Sequence, residues 1–216
     1  MRNHFDEMLE QLNIELINMG ALCEDAIEFS VQMLSAEVEQ ENRVAAIEEE
    51  INAMERKIES MCMKLLLRQQ PVAKDLRQIS AALKMISDME RIGDQALDIS
   101  EMARFINKNQ TKNTKLYEMA QATISMVTRA IDSFVKKDLA MARDVMAYDD
   151  VVDDLFADVK AEVIAEICEK QGDGEYLADV LMASKYLERI GDHAVNIAEW
   201  VEYSITGKHA SGKFEK

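Results

Sequence analysis

Proline and glycine are scarce in this chain: one Pro and seven Gly, or 8 of 216 residues, where the two together usually make up about 12%. Turns depend on these residues, so all-β and α/β folds, which need many turns, are excluded in favour of long helices. Cysteine is sparse too. Cys23, Cys62 and Cys168 are far apart and form no CxxC pair, which reads as buried free thiols in a reducing compartment. Basic residues are outnumbered, 25 against 41 acidic, for a net charge of −16. That balance excludes a nucleic-acid binder and a protein lying on anionic lipid, since both need Lys and Arg. No apolar run approaches the ~18 residues of a membrane span. The start Met1-Arg2-Asn3-His4-Phe5-Asp6-Glu7 lacks the apolar stretch of a signal peptide. A cytoplasmic protein is expected.

What remains is rich in helix formers, with 15 Met and 48% hydrophobic residues, enough for a real core. The chain also repeats itself. Glu90-Arg91-Ile92-Gly93-Asp94 returns as Glu188-Arg189-Ile190-Gly191-Asp192, 98 residues later. The likeness continues through Ala96/Ala194, Ile99/Ile197 and Glu101/Glu199. An offset near half the length implies two copies of one unit, 1–109 and 110–216, separated at the polar stretch Asn107–Asn113.

Each unit reads as three helices. Leu9, Leu12, Leu16, Met19, Cys23, Ala26 and Ser30 alternate steps of three and four, as do Ile47, Ile51, Met54, Ile58, Met61 and Leu65. The second helix is expected to end near Gln70, with Pro71 in the first turn of the third. The third runs Val72, Leu76, Ile79, Leu83, Ile86, then Glu90, Gly93 and Leu97. In the second unit, helices are expected at about 114–136, 138–170 and 175–205, with Val145, Tyr148, Val152, Leu155 and Val159 as the seam of the middle one. Gly172 is a candidate C-cap. The fold class is therefore all-α: two tandem antiparallel three-helix bundles related by duplication.

The third helix of each unit places a carboxylate where its seam should be apolar, at Glu90 and again at Glu188. Asp94 and Asp98 follow at steps of four, as do Asp192 and Asn196. Such steps keep side chains within about 40° of one another. Glu48, Asn52 and Glu55 flank the seam of the second helix, and Asp149, Asp150, Asp153 and Asp154 that of the fifth. A buried carboxylate needs a cation, a donor or water. Oxygen-only sets on two adjacent helices suit magnesium, calcium, manganese or iron. The same spacing is also met by a solvated acidic face, or by pairing with Arg91 and Arg189. Gly93 and Gly191 sit beside the carboxylates, either leaving room for ions or letting two helices pack closely. Catalytic signatures are missing. None of His4, His193 and His209 follows a Glu by three residues, and no phosphate-binding Gly loop or GxSxG elbow occurs. His193 corresponds to Gln95 in the first unit, so it reads as a surface residue or an occasional ligand.

The paired ERIGD segments, the stretch Arg68-Gln69-Gln70-Pro71-Val72-Ala73-Lys74-Asp75-Leu76-Arg77 and the segment Asn196-Ile197-Ala198-Glu199-Trp200 resemble the PhoU family of regulators associated with phosphate-specific transport. The resemblance covers nearly the whole chain. It implies two three-helix bundles, a cytoplasmic homodimer or higher oligomer, and no enzymatic activity. It implies metal binding (iron, manganese, magnesium or zinc) through E/DxxxD motifs. These map to Glu90, Asp94 and Asp98, to Glu188, Asp192 and Asn196, to Glu48 with Asn52, and to Asp149 with Asp153. The amide of Asn196, where the first unit has Asp98, lowers the charge of the second site. The implied role is negative regulation, coupling a phosphate-transport ATPase to a sensor histidine kinase. Two other readings stay open: a structural helical adaptor acting on a phosphate permease without metal, and a metal-dependent enzyme.

Overall fold

The computed structural model describes residues 2–35, 41–68, 71–107, 114–169 and 173–208. Among the described residues there are six helices and no strand: α1 (Arg2–Ser35), α2 (Glu41–Arg68), α3 (Ala73–Asn107), α4 (Thr114–Lys136), α5 (Leu139–Glu169) and α6 (Gly174–Thr206). Three helix starts are fixed by local hydrogen bonds of the capping type. Asp75 accepts from the Val72 N–H at 3.2 Å, so α3 begins after Val72 and Pro71 precedes its first turn rather than lying in it. Asp138 accepts from the Met141 N–H (3.0 Å) and Asp173 from the Glu175 N–H (3.0 Å). Helix α6 closes on Gly207 in the left-handed conformation, φ 73°, whose N–H bonds the Tyr203 carbonyl. The expected caps and boundaries at Gln70, Gly172 and residues 108–113 lie outside the described residues.

The seam of α1 is buried throughout, and Leu12, Leu16, Met19, Cys23 and Ala26 are wholly covered. Each large side chain among them contributes about 1.5–3 kcal/mol by leaving water. The seams of α2 and α5 centre on Ile51, Ile58 and Leu65, and on Val145, Val152 and Val159, all fully buried. Helix α3 departs from its expected stripe. Val72 and Leu76 are exposed, at 50% and 41%, while Ile79, Ala82, Met85, Met89, Ile92 and Ala96 are buried. The reason is that α3 is covered by α1, α2 and α6 together, so a single seam does not describe it. A helix packed on several sides buries a wide band, and its apolar period loses definition.

Helices α1–α3 pack on one another, as do α4–α6, and the two sets join mainly through α3 against α6, with α1 against α4. A continuous core runs through both repeats, with a small separate cluster of Met33, Val44 and Ala103. Helices α3 and α6 run antiparallel, since Asp88 meets Asn196 while Asp98 lies beside Tyr186. No helix among the described residues is long and apolar enough to cross a membrane. Of the three thiols, Cys23 and Cys62 are buried as expected and Cys168 is exposed. It lies one residue from the end of α5.

Candidate functional site

Two acidic clusters occupy matching places, one between α2 and α3 and one between α5 and α6. In the first, Ile51 of α2 packs over Gly93. A Cβ at Gly93 would stand 2.9 Å from the Ile51 Cδ1. This approach brings Glu48 and Asn52, on either side of Ile51, up to Glu90 and Asp94. The Asn52 amide donates to Glu48 in a short hydrogen bond. Ser87 donates to Glu55 at 3.5 Å. Glu90 is pushed above the usual carboxylate range by burial first, then by the charges of Asp94 and Glu55, with Arg91 opposing. Glu48 is raised by burial and by Asp94, against the stabilising bond from Asn52.

The second cluster repeats this plan with different chemistry. Val152 replaces Ile51 and lies over Gly191, which has more room: the nearest atom to a Cβ there would be Val152 Cγ1 at 3.5 Å, with Asp149 Oδ1 at 3.7 Å. Burial and the like charges of Asp153, Asp192, Asp150 and Glu188 push Asp149 up to about 6. Asp153 and Asp192 are raised as well, by burial first and then by Glu188. Lys185, at the position of Ser87, forms an ion pair with Glu188 at 2.5 Å and stands 5.4 Å from the Phe156 ring. The second cluster therefore carries an internal cation that the first has as a neutral serine.

Eight of the ten residues expected in the sites fall into these clusters: Glu48, Asn52, Glu90 and Asp94 in one, Asp149, Asp153, Glu188 and Asp192 in the other. Asp98 and Asn196 are placed elsewhere. Two steps of four accumulate to about 80° around the helix, which turns both residues from the α2 or α5 side towards the α3–α6 contact. Asp98 sits beside Tyr186, whose phenol its charge helps to raise, after burial. Asn196 donates to Asp88 Oδ1 at 3.1 Å.

That contact holds a polar network not anticipated from sequence. His193, expected at the surface or as a ligand, is buried with 7% exposure. Its Nδ1 lies 2.8 Å from Asp88 Oδ1 and its Nε2 lies 3.2 Å from the amide nitrogen of Gln95. The ring bridges the Asp88 carboxylate and the Gln95 amide, and the buried Gln95 Oε1 has no hydrogen-bond partner. Gln95 and His193 are equivalent positions of the two repeats, so they meet where the pseudo-twofold relation makes α3 and α6 cross. The one sequence signal was the chemical difference between these residues within an otherwise matching motif.

As donors, the clusters supply oxygen, and like-charge crowding of half-buried carboxylates is the condition that a divalent cation relieves. Among the described residues no three His, Cys, Asp or Glu side chains converge tightly enough to hold an ion as they stand. The residues fit a hard cation in type and charge, and their side chains would have to rearrange to close round one.

An all-α protein built of two equivalent three-helix units, each with an acidic cluster, is a duplicated helical scaffold. The PhoU domain matches it twice, over residues 16–103 and 116–201. The chain is 34% identical to the phosphate-specific transport system accessory protein PhoU homolog of Clostridium acetobutylicum, over 96% of each chain. It is 33% identical to the homolog of the same name from Synechocystis, over 96% of this chain and 93% of that one. The crystal structure of PhoU from Pseudomonas aeruginosa superposes with a TM-score of 0.90 at 32% identity, covering 94% of this chain and 100% of that one. The chain belongs to the PhoU family.

Proposed function

We propose that this protein is a regulatory adaptor of phosphate uptake and phosphate-starvation signalling, and that its two acidic clusters bind metal ions. The pathway rests on relatives named as accessory proteins of phosphate-specific transport. In this reading the protein works in the cytoplasm as a homodimer. It couples a phosphate-transport ATPase to a sensor histidine kinase and keeps starvation genes off when phosphate is plentiful. It acts by binding rather than by catalysis. Long helices with a continuous core suit a rigid body that presents surfaces to partners.

The observation that carries the metal part is an acidic cluster at the same place in each repeat, in which burial and like charge raise Glu48 and its counterpart Asp149. Unrelieved like charge costs stability, and its occurrence at both duplicated positions is accounted for by a cation that it serves. The Lys185–Glu188 pair favours a second reading for the second repeat, in which lysine partly replaces the ion and that site is the weaker. The structural adaptor without metal is this reading extended to both repeats.

Deleting the gene in its host, with a phosphate-starvation reporter, tests the pathway. The reporter should be on in phosphate-rich medium, and restored to off by the wild-type gene. A reporter that stays off in the deletion strain overturns the regulatory role. Complementation with Glu90, Asp94, Glu188 and Asp192 replaced together by their amides then asks whether the clusters matter to it.

A further inference from the structure

Two lysines come together where the start of α3 meets the ends of α4 and α6. A cleft of about 180 Å³ opens there, walled by Lys74 and Gln78 of α3, Lys137 just after α4 and Ser204 of α6, over a floor that includes Phe134 and Val201. Among the described residues none that lines it is acidic, although acidic residues are 41 of 216 in the chain. Arg77, one turn from Lys74, lies across the end of α6, with its guanidinium 3.4 Å from where a Cβ on Gly207 would stand. Its Nε is buried without a hydrogen-bond partner. Among the described residues, neither Lys74 nor Lys137 is in an ion pair.

Lys137 is held there by an unusual backbone. It has φ 52° and is the one non-glycine residue with positive φ among those described. The Asp138 N–H bonds the Ser133 carbonyl at 2.9 Å and the Lys137 N–H bonds the Phe134 carbonyl at 3.2 Å. This is the closing turn of a helix in which glycine is ordinarily preferred. The two helix ends present here carry about half a negative charge each, and the start of α3 about half a positive one. Asp75 and Asp138, the carboxylates next to these lysines, each accept a backbone N–H at a helix start.

We propose that this cleft binds a small phosphate-class oxyanion, either inorganic phosphate or the head of a phosphate monoester. Lys74 and Lys137 line the cleft and supply its charged donors. Gln78 uses one amide N–H on Asn13 Oδ1 (3.0 Å) and has a second to offer. Ser204 donates to the Val201 carbonyl at 2.8 Å and shapes the wall. Arg77, packed against Gly207 beside the cleft, adds a further positive charge. A dianion gains more from such fixed cations than a monoanion does. The site is separate from the acidic clusters and does not depend on their holding metal.

Amide NMR titration with inorganic phosphate, in chelator and at constant ionic strength, tests this. Saturable shifts are expected at Gln78, Lys137 and Ser204, and a parallel titration with glycerol 3-phosphate shows which of the two forms binds more tightly. K137G removes the ammonium group while giving the left-handed position its preferred residue. Its melting temperature should be equal to or above wild type, and its affinity for the better ligand at least about ten-fold weaker. K74Q should weaken binding similarly. Shifts reproduced by chloride, no saturation with either phosphate probe, or unchanged affinity in K137G would each overturn the proposal.

Discussion

Replacing Asp149 by Asn should raise the stability of the metal-free protein and lower that of the metal-loaded one. The ordinary aspartate value is near 3.8, and burial with four like charges pushes Asp149 up to about 6. A rise of about 2 units corresponds to on the order of 3 kcal/mol at full effect. Asp149 is only half-buried, and solvent screening reduces this to roughly 1–1.5 kcal/mol. The folded state binds more protons than the unfolded state between about pH 4 and pH 6, so stability falls as pH rises through that window. The cost is fully present above pH 6 and disappears below pH 4. In chelator at pH 7.5, Asp149→Asn should therefore be more stable by roughly 1–1.5 kcal/mol, with a melting temperature some 3–5 °C higher. The gap should shrink towards pH 4.5. A cation at a concentration 100 times its Kd adds about 2.7 kcal/mol to the wild type, a gain the variant should largely lose, so that the order reverses in manganese. Urea denaturation followed by circular dichroism at several pH values measures all of this. A variant less stable than wild type in chelator at pH 7.5 would refute the reasoning, because it would mean that Asp149 is held by favourable partners.

The two motif glycines should differ despite identical flanking residues. Gly93→Ala drives a methyl to 2.9 Å from the buried Ile51 Cδ1 and should destabilise by roughly 1 kcal/mol after its helix-propensity gain. Gly191→Ala meets only ordinary contact at 3.5 Å and should be neutral or stabilising by up to about 1 kcal/mol; equal losses in urea denaturation would contradict the packing described. His193→Ala leaves Asp88 buried without its 2.8 Å partner and should cost about 2–4 kcal/mol. Asp88→Asn in the same chain should recover part of that loss, and strictly additive effects would show the pair to be uncoupled. Cysteine titration with an aromatic disulfide reagent should find Cys168 fast. Cys62, pushed up to about 12 by burial, and Cys23, raised further by burial, should stay silent until denaturant is added. Three equally fast thiols would show that the core breathes.

Much of the fold was legible because α1, α2 and α5 each bury one narrow stripe, and a stripe of that kind leaves a 3–4 pattern in sequence. Helix α3 was legible only in extent. Leu76 is exposed and Met89 buried because three neighbours, not one, decide which face is inside. The acidic clusters could be found from the repeat, since duplication preserved Glu90/Asp94 and Glu188/Asp192 together with the glycines that let α2 and α5 approach. Asp98 and Asn196 were grouped with them because spacing in fours hides the slow rotation about the helix axis. The Asp88–His193–Gln95 network could not be read from one strand of sequence. It exists only where α3 crosses α6, and residues 88 and 193 are brought together by tertiary packing alone.

The central claim is that duplicated acidic clusters hold cations. Elemental analysis of protein purified without chelator, compared with the variant carrying Glu90→Gln, Asp94→Asn, Glu188→Gln and Asp192→Asn, tests it most directly. Bound manganese, iron, magnesium or zinc in the wild type is expected, with the metal lost in the variant while circular dichroism reports unchanged helicity. Wild-type protein without bound metal, and without thermal stabilisation by added manganese, iron or magnesium, would contradict it.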